Sequence, residues 1–136
     1  AARDIEWNYR ETSIPFDEVV LECEVATAEG SEQEIRRAME KSQERRRITQ
    51  PLGLPSCGSV FRNPEGESVG RLIENVGLKG ALCGGAQISE RHANFIVNKG
   101  GAKAVEVLSL IHATSGAVAE RYGVELVPEV RFLGFE

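Results

Sequence analysis

Prolines and glycines recur every few residues between Pro51 and Gly66, and this stretch constrains the fold more than any other feature of the chain. Proline lacks the N–H group that a sheet ladder needs, and glycine supplies unusual backbone angles. The stretch therefore cannot be a regular helix or a central strand. We expect a shaped loop that separates the regular elements on either side.

A strand and a helix are predicted before this loop. Apolar and polar residues alternate from Phe16 to Ala26, which is typical of a strand with one wetter face. Gly30 ends this pattern, and the sequence SEQE at Ser31–Glu34 is a capping box that predicts a helix to about Arg47. The apolar stripe of this helix is narrow, consisting of Ile35, Ala38 and Met39.

After the loop, a short amphipathic helix is predicted to end at Gly77, where a helix commonly places glycine after its last turn. Its apolar residues, at helical spacing, are Val69, Leu72, Ile73 and Val76. An extended segment then contains Gly84 and Gly85, which can permit a bulge, and Ala93–Asn98 is predicted to be a second strand closed by an NKGG turn.

The last elements are a helix over Ala102–Tyr122, stopped by Gly123, and a strand over Glu125–Phe135. The apolar positions of this helix are Val105, Leu108, Ile111 and Val118. Strands and helices alternate without the regular crossover spacing of a parallel sheet. The order therefore favours the α+β class, with antiparallel strands flanked by helices.

Charge and composition exclude several kinds of protein. The 136 residues include 16 lysines and arginines against 21 aspartates and glutamates, a net charge of −5, which disfavours bulk nucleic-acid binding. No apolar run approaches the roughly 20 residues that span a bilayer, and the first residues do not resemble a signal peptide. Three cysteines without a CxxC pair indicate reduced thiols. We therefore expect a cytoplasmic protein without a nucleic-acid or membrane partner.

Two glycine-containing stretches, 55–66 and 84–98, carry most of the polar groups that could bind a ligand. Ser59 offers a hydroxyl and Asn63 an amide, although glycine and serine in a proline-rich loop are also ordinary turn residues. His92 could donate a hydrogen bond to a ligand or be a structural histidine. His112 is the only other histidine, so a histidine metal site is not expected.

Two further pairs remain open between structural and functional interpretations. Glu129 and Arg131 are two residues apart, so a strand would place them on one face as an ion pair; alternatively, Glu129 is a partly buried carboxylate at a cleft. Tyr9 and Arg10 could be a solvated chain end, or Arg10 could clamp a substrate carboxylate.

Together, five motifs resemble the UDP-N-acetylenolpyruvoylglucosamine reductase family, in its shorter type. The resemblance runs in order from about Trp7 to Gly134, and GSVFRNP and PEVRFLG are its most specific parts. The motifs are YRET at 9–12, QPLGLPSCGSVFRNP at 50–64, GRLIENVGLKG at 70–80, GGAQISERHANFIVN at 84–98 and GVELVPEVRFLG at 123–134.

The resemblance implies a flavoenzyme of peptidoglycan synthesis that uses FAD and NADPH to reduce the enolpyruvyl ether of a UDP-sugar. Ser59 matches the serine that protonates the intermediate. Arg10 and Glu129 match the arginine and glutamate that hold the substrate carboxylate and stabilise that intermediate. Asn63 and His92 fall at polar substrate contacts.

The resemblance also implies a division of the chain and a missing partner region. Residues 1–50 and 123–136 would be remnants of the flavin-binding domain, and residues 51–122 would form the substrate-binding domain. Tyr9 and Arg131 would lie toward the cofactor. The N-terminal flavin-binding region with its glycine-rich loop is absent from this sequence, so the chain alone is expected to be inactive. The alternative is a stand-alone module that binds a UDP-sugar or an anion without redox activity.

Overall fold

In the computed structural model, which describes residues 2–134, a four-stranded antiparallel sheet packs one face against two helices. The predicted α+β class is confirmed. The chain divides into two compact units, Ala1–Ala38 and Met39–Glu136, and the division falls within the sequence of the first helix. The elements are α1 (Glu32–Thr49), α2 (Val69–Asn75) and α3 (Ala104–Tyr122), with β1 (Trp7–Asn8), β2 (Glu11–Thr12), β3 (Ser56–Ser59), β4 (Leu82–Cys83), β5 (Ala86–Ile88) and β6 (Phe95–Asn98).

The first unit contains a small hairpin in which β1 pairs antiparallel with β2. The prediction of a strand over Phe16–Ala26 is wrong for the described chain, because these residues lie in no strand and are exposed throughout. Leu21, for example, is 92% exposed. Alternating apolar and polar residues are compatible with a strand that has one buried face. A strand forms, however, only where a neighbouring strand supplies hydrogen-bond partners for its backbone.

The predicted helix after Gly30 is confirmed as α1, which continues two residues beyond Arg47 to Thr49. The narrow apolar stripe of α1 is expected to pack against the protein, but the structure leaves it exposed. Ile35 is 51% exposed and Met39 is 56% exposed. The side chains of α1 are polar and charged at most other positions, so this helix has no buried residue.

The sheet has the strand order β3-β6-β5-β4, so β3 lies at an edge. This strand falls inside the stretch predicted to be a loop, and an edge position is where a sheet tolerates nearby proline. Between the pairs Ser56↔Val97 and Ser59↔Phe95, β3 has one residue more than β6, which is a bulge. Gly58 lies in this bulge at φ +87°, a conformation that favours glycine.

The pair Gly84–Gly85 forms the two-residue turn of the β4–β5 hairpin rather than a bulge. The N–H of Gly85 donates to Glu106 Oε2 at 3.0 Å, and the same oxygen accepts the N–H of Lys103 at 2.9 Å. A Cβ on Gly85 would lie 2.6 Å from the backbone oxygen of Gly100, so only glycine fits there. The Glu106 carboxylate therefore joins the hairpin turn to the start of α3.

Replacing Glu106 with glutamine is expected to lower the thermal midpoint at neutral pH, because the amide loses the charge that strengthens both hydrogen bonds. The bonds from Lys103 and then Gly85 lower the pKa of Glu106. A lowered folded-state pKa gives stability that is present above the unfolded pKa and is lost as the pH falls through the folded value. Thermal unfolding from about pH 7 to pH 3 should bring wild type and variant together at the acid end. The exposed Glu120→Gln on the same helix is the control; an offset independent of pH would contradict the account.

Helix α2 has the predicted apolar face and ends at Gly77 as predicted. Its buried residues are Val69, Leu72 and Ile73. At its end, the N–H of Gly77 donates to the oxygen of Glu74 and the N–H of Leu78 to that of Ile73, with Gly77 at φ +76°. These are the two hydrogen bonds of a Schellman motif.

Helix α3 is confirmed over almost the predicted range and ends at Gly123, which is left-handed at φ +65°. Its buried face is shifted from the predicted one: Val105 is 58% exposed, whereas Thr114 is 1% exposed. The Thr114 hydroxyl donates to the oxygen of Leu110 at 2.7 Å, so the helix itself satisfies this buried polar group. The buried residues of α3 are Leu110, Ile111, Thr114 and Val118.

The prediction of a strand over Glu125–Phe135 is wrong for the described part of that range, and Phe135 lies outside the described residues. Residues 124–134 form no regular strand, and only an isolated antiparallel bridge joins Phe61 to Pro128. Proline cannot donate to a ladder, which limits the pairing to a few bonds.

Candidate functional site

The candidate site is built around residues 59–63, which continue from β3 toward α2. Ser59 is half-buried and directly follows Gly58 in the bulge. A bulge changes the direction of the side chains that follow it, and such irregularities often lie beside functional sites. The backbone around Ser59 is therefore set by local strand geometry and by the contacts of the next residues, Val60 and Phe61.

Asn94 holds this segment in place. Its side chain is buried, its Oδ1 accepts the N–H of Phe61 at 3.0 Å, and its Nδ2 donates to the oxygen of Phe61 at 2.8 Å. The backbone oxygen of Asn94 also accepts the N–H of Val60 at 2.9 Å. Three hydrogen bonds from one buried residue thus fix the two residues after Ser59.

The C-terminal tail lies along the same segment. The N–H of Glu129 donates to the oxygen of Val60 at 2.8 Å, and the N–H of Arg62 donates to the oxygen of Val127 at 2.9 Å. Glu129 is half-buried, and its Oε1 atom is fully buried. The structure therefore brings the backbone of Glu129 beside the residue that follows Ser59.

Asn63 follows the same segment and is exposed. Its Oδ1 accepts the N–H of Val69, the first residue of α2, at 3.1 Å. The acceptor of this amide is thus engaged in holding the loop before α2, and its Nδ2 group is the part of the side chain chemically suited to donate to a ligand.

His92 lies on the turn that leads to β6 and is half-buried. Its ring packs against Phe95, with centroids 5.0 Å apart, and a Cβ on Gly70 would lie 3.1 Å from His92 Cε1. Nδ1 accepts the N–H of Asn94 at 3.2 Å. An Nδ1 that accepts carries no proton, so the neutral ring has its proton on Nε2, a donor.

The pKa of His92 is expected to lie below the ordinary value of about 6.5. Burial of the ring lowers the pKa most and the charge of Lys79 lowers it further, while a backbone hydrogen bond raises it. Because the unfolded state then binds the proton first, stability should fall as the pH drops below the unfolded pKa. Proton NMR titration of the His92 ring measures this directly. Lys79→Met should raise the value slightly, and a wild-type pKa at or above 6.5 would contradict the account.

Tyr9 and Arg10 belong to the first unit and form the two-residue turn between β1 and β2. Arg10 has φ +63°, an unusual conformation for a residue other than glycine, and its guanidinium carbon lies 5.8 Å from the Tyr9 ring centroid. Backbone strain of this kind is often found at functional sites. Tyr9 is 61% exposed.

Arg131 does not share a strand face with Glu129, because the tail is not a strand. It is exposed and lines a groove of about 490 Å³ whose walls include Cys57, Val107 and Phe132. The prediction that Glu129 and Arg131 share a strand face is therefore wrong.

Asn94 is not among the site residues that the sequence predicts, and it falls only within the predicted strand Ala93–Asn98. The available signal was a single asparagine inside an apolar run, because a buried polar side chain requires partners.

Among residues 2–134, no helix is long and apolar enough to cross a membrane. The same residues contain no group of three or more histidine, cysteine or acidic side chains suited to a metal ion.

Comparison with known families gives a match that covers the site. Residues 50–133 match the model described as UDP-N-acetylenolpyruvoylglucosamine reductase, C-terminal domain. The chain is 47% identical to the UDP-N-acetylenolpyruvoylglucosamine reductase of Synechococcus sp. (strain WH7803), over 98% of the chain and 44% of that protein. It is 46% identical to the enzyme of the same name from Alkalilimnicola ehrlichii, over 96% of the chain and 44% of that protein.

A solved structure supports the same relationship. The crystal structure of UDP-N-acetylenolpyruvylglucosamine reductase (MurB) from Thermus caldophilus superposes with a TM-score of 0.74 at 37% identity, over 91% of this chain and 44% of that one. The chain therefore spans less than half the length of the relatives that it matches.

Proposed function

Since the chain belongs to the UDP-N-acetylenolpyruvoylglucosamine reductase family, we propose that the full-length protein containing it reduces that UDP-sugar to UDP-N-acetylmuramate. FAD and NADPH would be the cofactors, and the enzyme would serve peptidoglycan synthesis in the cytoplasm. This chain would supply the substrate-binding and proton-donor residues. The observation that carries the proposal is the segment at Ser59, held by Asn94 and flanked by Glu129.

The chemistry of this reduction needs a positioned proton donor. Hydride addition to the enolpyruvyl double bond leaves negative charge spread over the neighbouring carbon and the carboxylate. The Ser59 hydroxyl would donate its proton to that carbon. A hydroxyl is a weak acid, so it is effective only when held close to a strongly basic centre and shielded from bulk water. The fixed backbone after Ser59 and the partial burial of its side chain support this role.

The other proposed residues would bind and orient the substrate. Arg10 carries a permanent positive charge suited to the substrate carboxylate, and fixed charges aimed at a developing anion lower the barrier to its formation. Glu129 would orient the reacting group, while Asn63 Nδ2 and His92 Nε2 would donate hydrogen bonds to the sugar nucleotide.

The two turns that contain paired glycines, Gly84–Gly85 and Gly100–Gly101, do not fit a flavin pyrophosphate by themselves. A flavin pyrophosphate needs backbone N–H groups that point at it from a glycine-rich turn. The N–H of Gly85 donates to the Glu106 carboxylate, and the N–H of Gly100 donates to Asn98 Oδ1 at 2.8 Å. The chain's own acceptors occupy these turns, so Tyr9 and Arg131 are proposed only as contacts to a flavin held mainly outside this chain.

A stand-alone module that binds a UDP-sugar or another anion without redox activity is the second candidate. Ser59, Asn63 and His92 would be the contacts to the ligand in such a module. This candidate predicts tight binding of a UDP-sugar by the 136 residues alone.

Two titrations of the purified 136-residue chain separate the candidates. The reductase proposal predicts no flavin absorbance after incubation with FAD and gel filtration, and weak binding of UDP-N-acetylglucosamine by calorimetry. Stoichiometric FAD would contradict the proposed division of labour. A dissociation constant in the low micromolar range or below, without flavin, would favour the stand-alone module.

A further inference from the structure

Gly70 lies in the first turn of a helix, at a position where the backbone does not require a glycine. It is the second residue of α2, and it does not belong to the glycines with positive φ. Alanine favours a helix more than any other residue, whereas glycine is among the least favourable. The reason for a glycine here therefore lies in what surrounds the residue.

The His92 ring occupies the space that a side chain at Gly70 would fill. A Cβ on Gly70 would lie 3.1 Å from His92 Cε1 and 3.4 Å from His92 Nδ1. Carbon atoms pack best at roughly 3.5–4.0 Å, so an alanine methyl would press on the ring. By contrast, a Cβ on Gly116, within α3, would meet nothing within 4 Å among residues 2–134, apart from the backbone of its own helix. The close approach is therefore not a general property of helical glycines.

Three contacts prevent the His92 ring from retreating as a whole. Its Nδ1 accepts the N–H of Asn94 at 3.2 Å, and the ring packs against Phe95 with centroids 5.0 Å apart. The backbone N–H of His92 donates to Oγ of the buried Ser89 at 3.3 Å. A methyl group on Gly70 would therefore tilt the ring within this frame and weaken the hydrogen bond to Nδ1, rather than move the whole turn.

The tilt of the ring decides where its hydrogen-bond donor points. Because Nδ1 accepts a hydrogen bond, the neutral ring has its proton on Nε2. Gly70 lies against Cε1, the ring carbon that is bonded to both nitrogens, so a displacement of this carbon also displaces Nε2. Hydrogen bonds weaken as the donor departs from a straight line to the acceptor. The missing side chain at residue 70 thus affects the strength of any bond that Nε2 donates.

We propose that Gly70 is a positioning residue that sets the direction of the His92 Nε2–H donor. The effect on substrate binding rests on the proposed function, in which His92 contacts the sugar nucleotide; the packing of the ring against Gly70 does not. Gly70 acts only through His92. This role explains why α2 keeps a residue that is unfavourable to the helix itself.

Nitrogen-15 NMR spectra of the 136-residue chain test the packing without any substrate. Gly70→Ala should shift the ring nitrogens of His92 and the backbone amide signal of Asn94, which donates to this ring. Gly116→Ala is the matched control, because its methyl group meets open space in a helix. It should raise the thermal midpoint and leave these signals in place. Backbone amide spectra establish that both variants are folded. Unchanged His92 signals in Gly70→Ala would overturn the proposal.

Steady-state kinetics of the full-length protein test the effect on binding. Gly70→Ala should raise KM for the UDP-sugar about fivefold, the effect of losing about one hydrogen bond. The value of kcat should change less than about twofold, because the contact holds the substrate and does not act on the reacting atoms. Gly116→Ala should leave both parameters within about twofold of wild type.

A double-mutant cycle shows whether Gly70 acts through His92. In the His92→Ala background the methyl group has no ring to displace. Gly70→Ala should there raise the thermal midpoint and change KM less than about twofold. Equal effects on KM in the two backgrounds would overturn the proposal.

The two kinds of measurement separate this proposal from the proposed function. If the ring signals move while KM of a working reductase stays the same, the positioning role fails and the function stands. A wild-type full-length protein without reductase activity would remove the proposed function and this substrate role with it. Shifted His92 signals would then show that the packing at Gly70 is correct and that the error lies in the function.

Discussion

Ser59→Ala in the full-length protein is expected to lower kcat for reduction of the UDP-sugar by about 100- to 10,000-fold, the range by which a positioned proton donor accelerates a reaction. The methyl group of alanine cannot donate a proton, and water would have to replace the hydroxyl. KM should change little, because the hydroxyl acts on the reacting carbon rather than on the parts of the substrate that provide binding energy. Steady-state NADPH oxidation measures both parameters.

The matched control is Ser56→Ala, which removes an exposed hydroxyl from the other end of the same strand, β3. This variant should keep kcat within about twofold of wild type, because no catalytic role is assigned to Ser56. Comparable losses in the two variants would indicate damage to β3 rather than loss of a proton donor.

Asn94→Leu is expected to destabilise the chain by about 2–5 kcal/mol, because it leaves both the N–H and the oxygen of buried Phe61 without this partner. Leucine has nearly the same shape and cannot form either hydrogen bond. Chemical denaturation measures the change in the free energy of unfolding. Asn94→Asp separates the two bonds: it keeps the acceptor for the Phe61 N–H but places a charge beside the Phe61 oxygen, so it should also be destabilising.

Asn75→Leu is the control for a change from amide to aliphatic side chain. Asn75 is exposed at the end of α2, and its replacement should change the free energy of unfolding by no more than about 0.5 kcal/mol. If Asn94→Leu were as mild as this control, the hydrogen bonds to Phe61 would not be what fixes the segment after Ser59.

The sequence was sufficient for elements whose signals are local. The end of α2 at Gly77 depends on one left-handed residue and two hydrogen bonds within six residues, so a glycine after an apolar stripe predicts it. Helix α3 is similarly predicted by its long apolar periodicity and by the glycine at its end, Gly123. In each case the decisive contacts lie within the element.

Elements that depend on distant partners were not predictable in this way. The alternation in Phe16–Ala26 is genuine, but pairing decides whether a strand forms, and residues 2–134 supply none to that segment. Glycines indicate a change in backbone direction, but they do not distinguish a bulge from a turn. Gly84–Gly85, where a bulge is expected, is a hairpin turn, and the bulge lies at Gly58 instead.

The candidate site shows the same limit. Motif resemblance selected Ser59 and Glu129, whose backbones the fold then places on adjoining segments. The partner of Asn94 could not be identified from the sequence, because Phe61 is 33 residues away and lies beside it only through the register of β3 against β6.

The most direct test of the central claim is NADPH oxidation by the full-length protein, loaded with FAD, with and without UDP-N-acetylenolpyruvoylglucosamine. The account predicts that oxidation depends on this UDP-sugar, yields UDP-N-acetylmuramate in equal amount, and is nearly abolished by Ser59→Ala but not by Ser56→Ala. NADPH oxidation that is independent of the UDP-sugar, or full activity without the Ser59 hydroxyl, would contradict it.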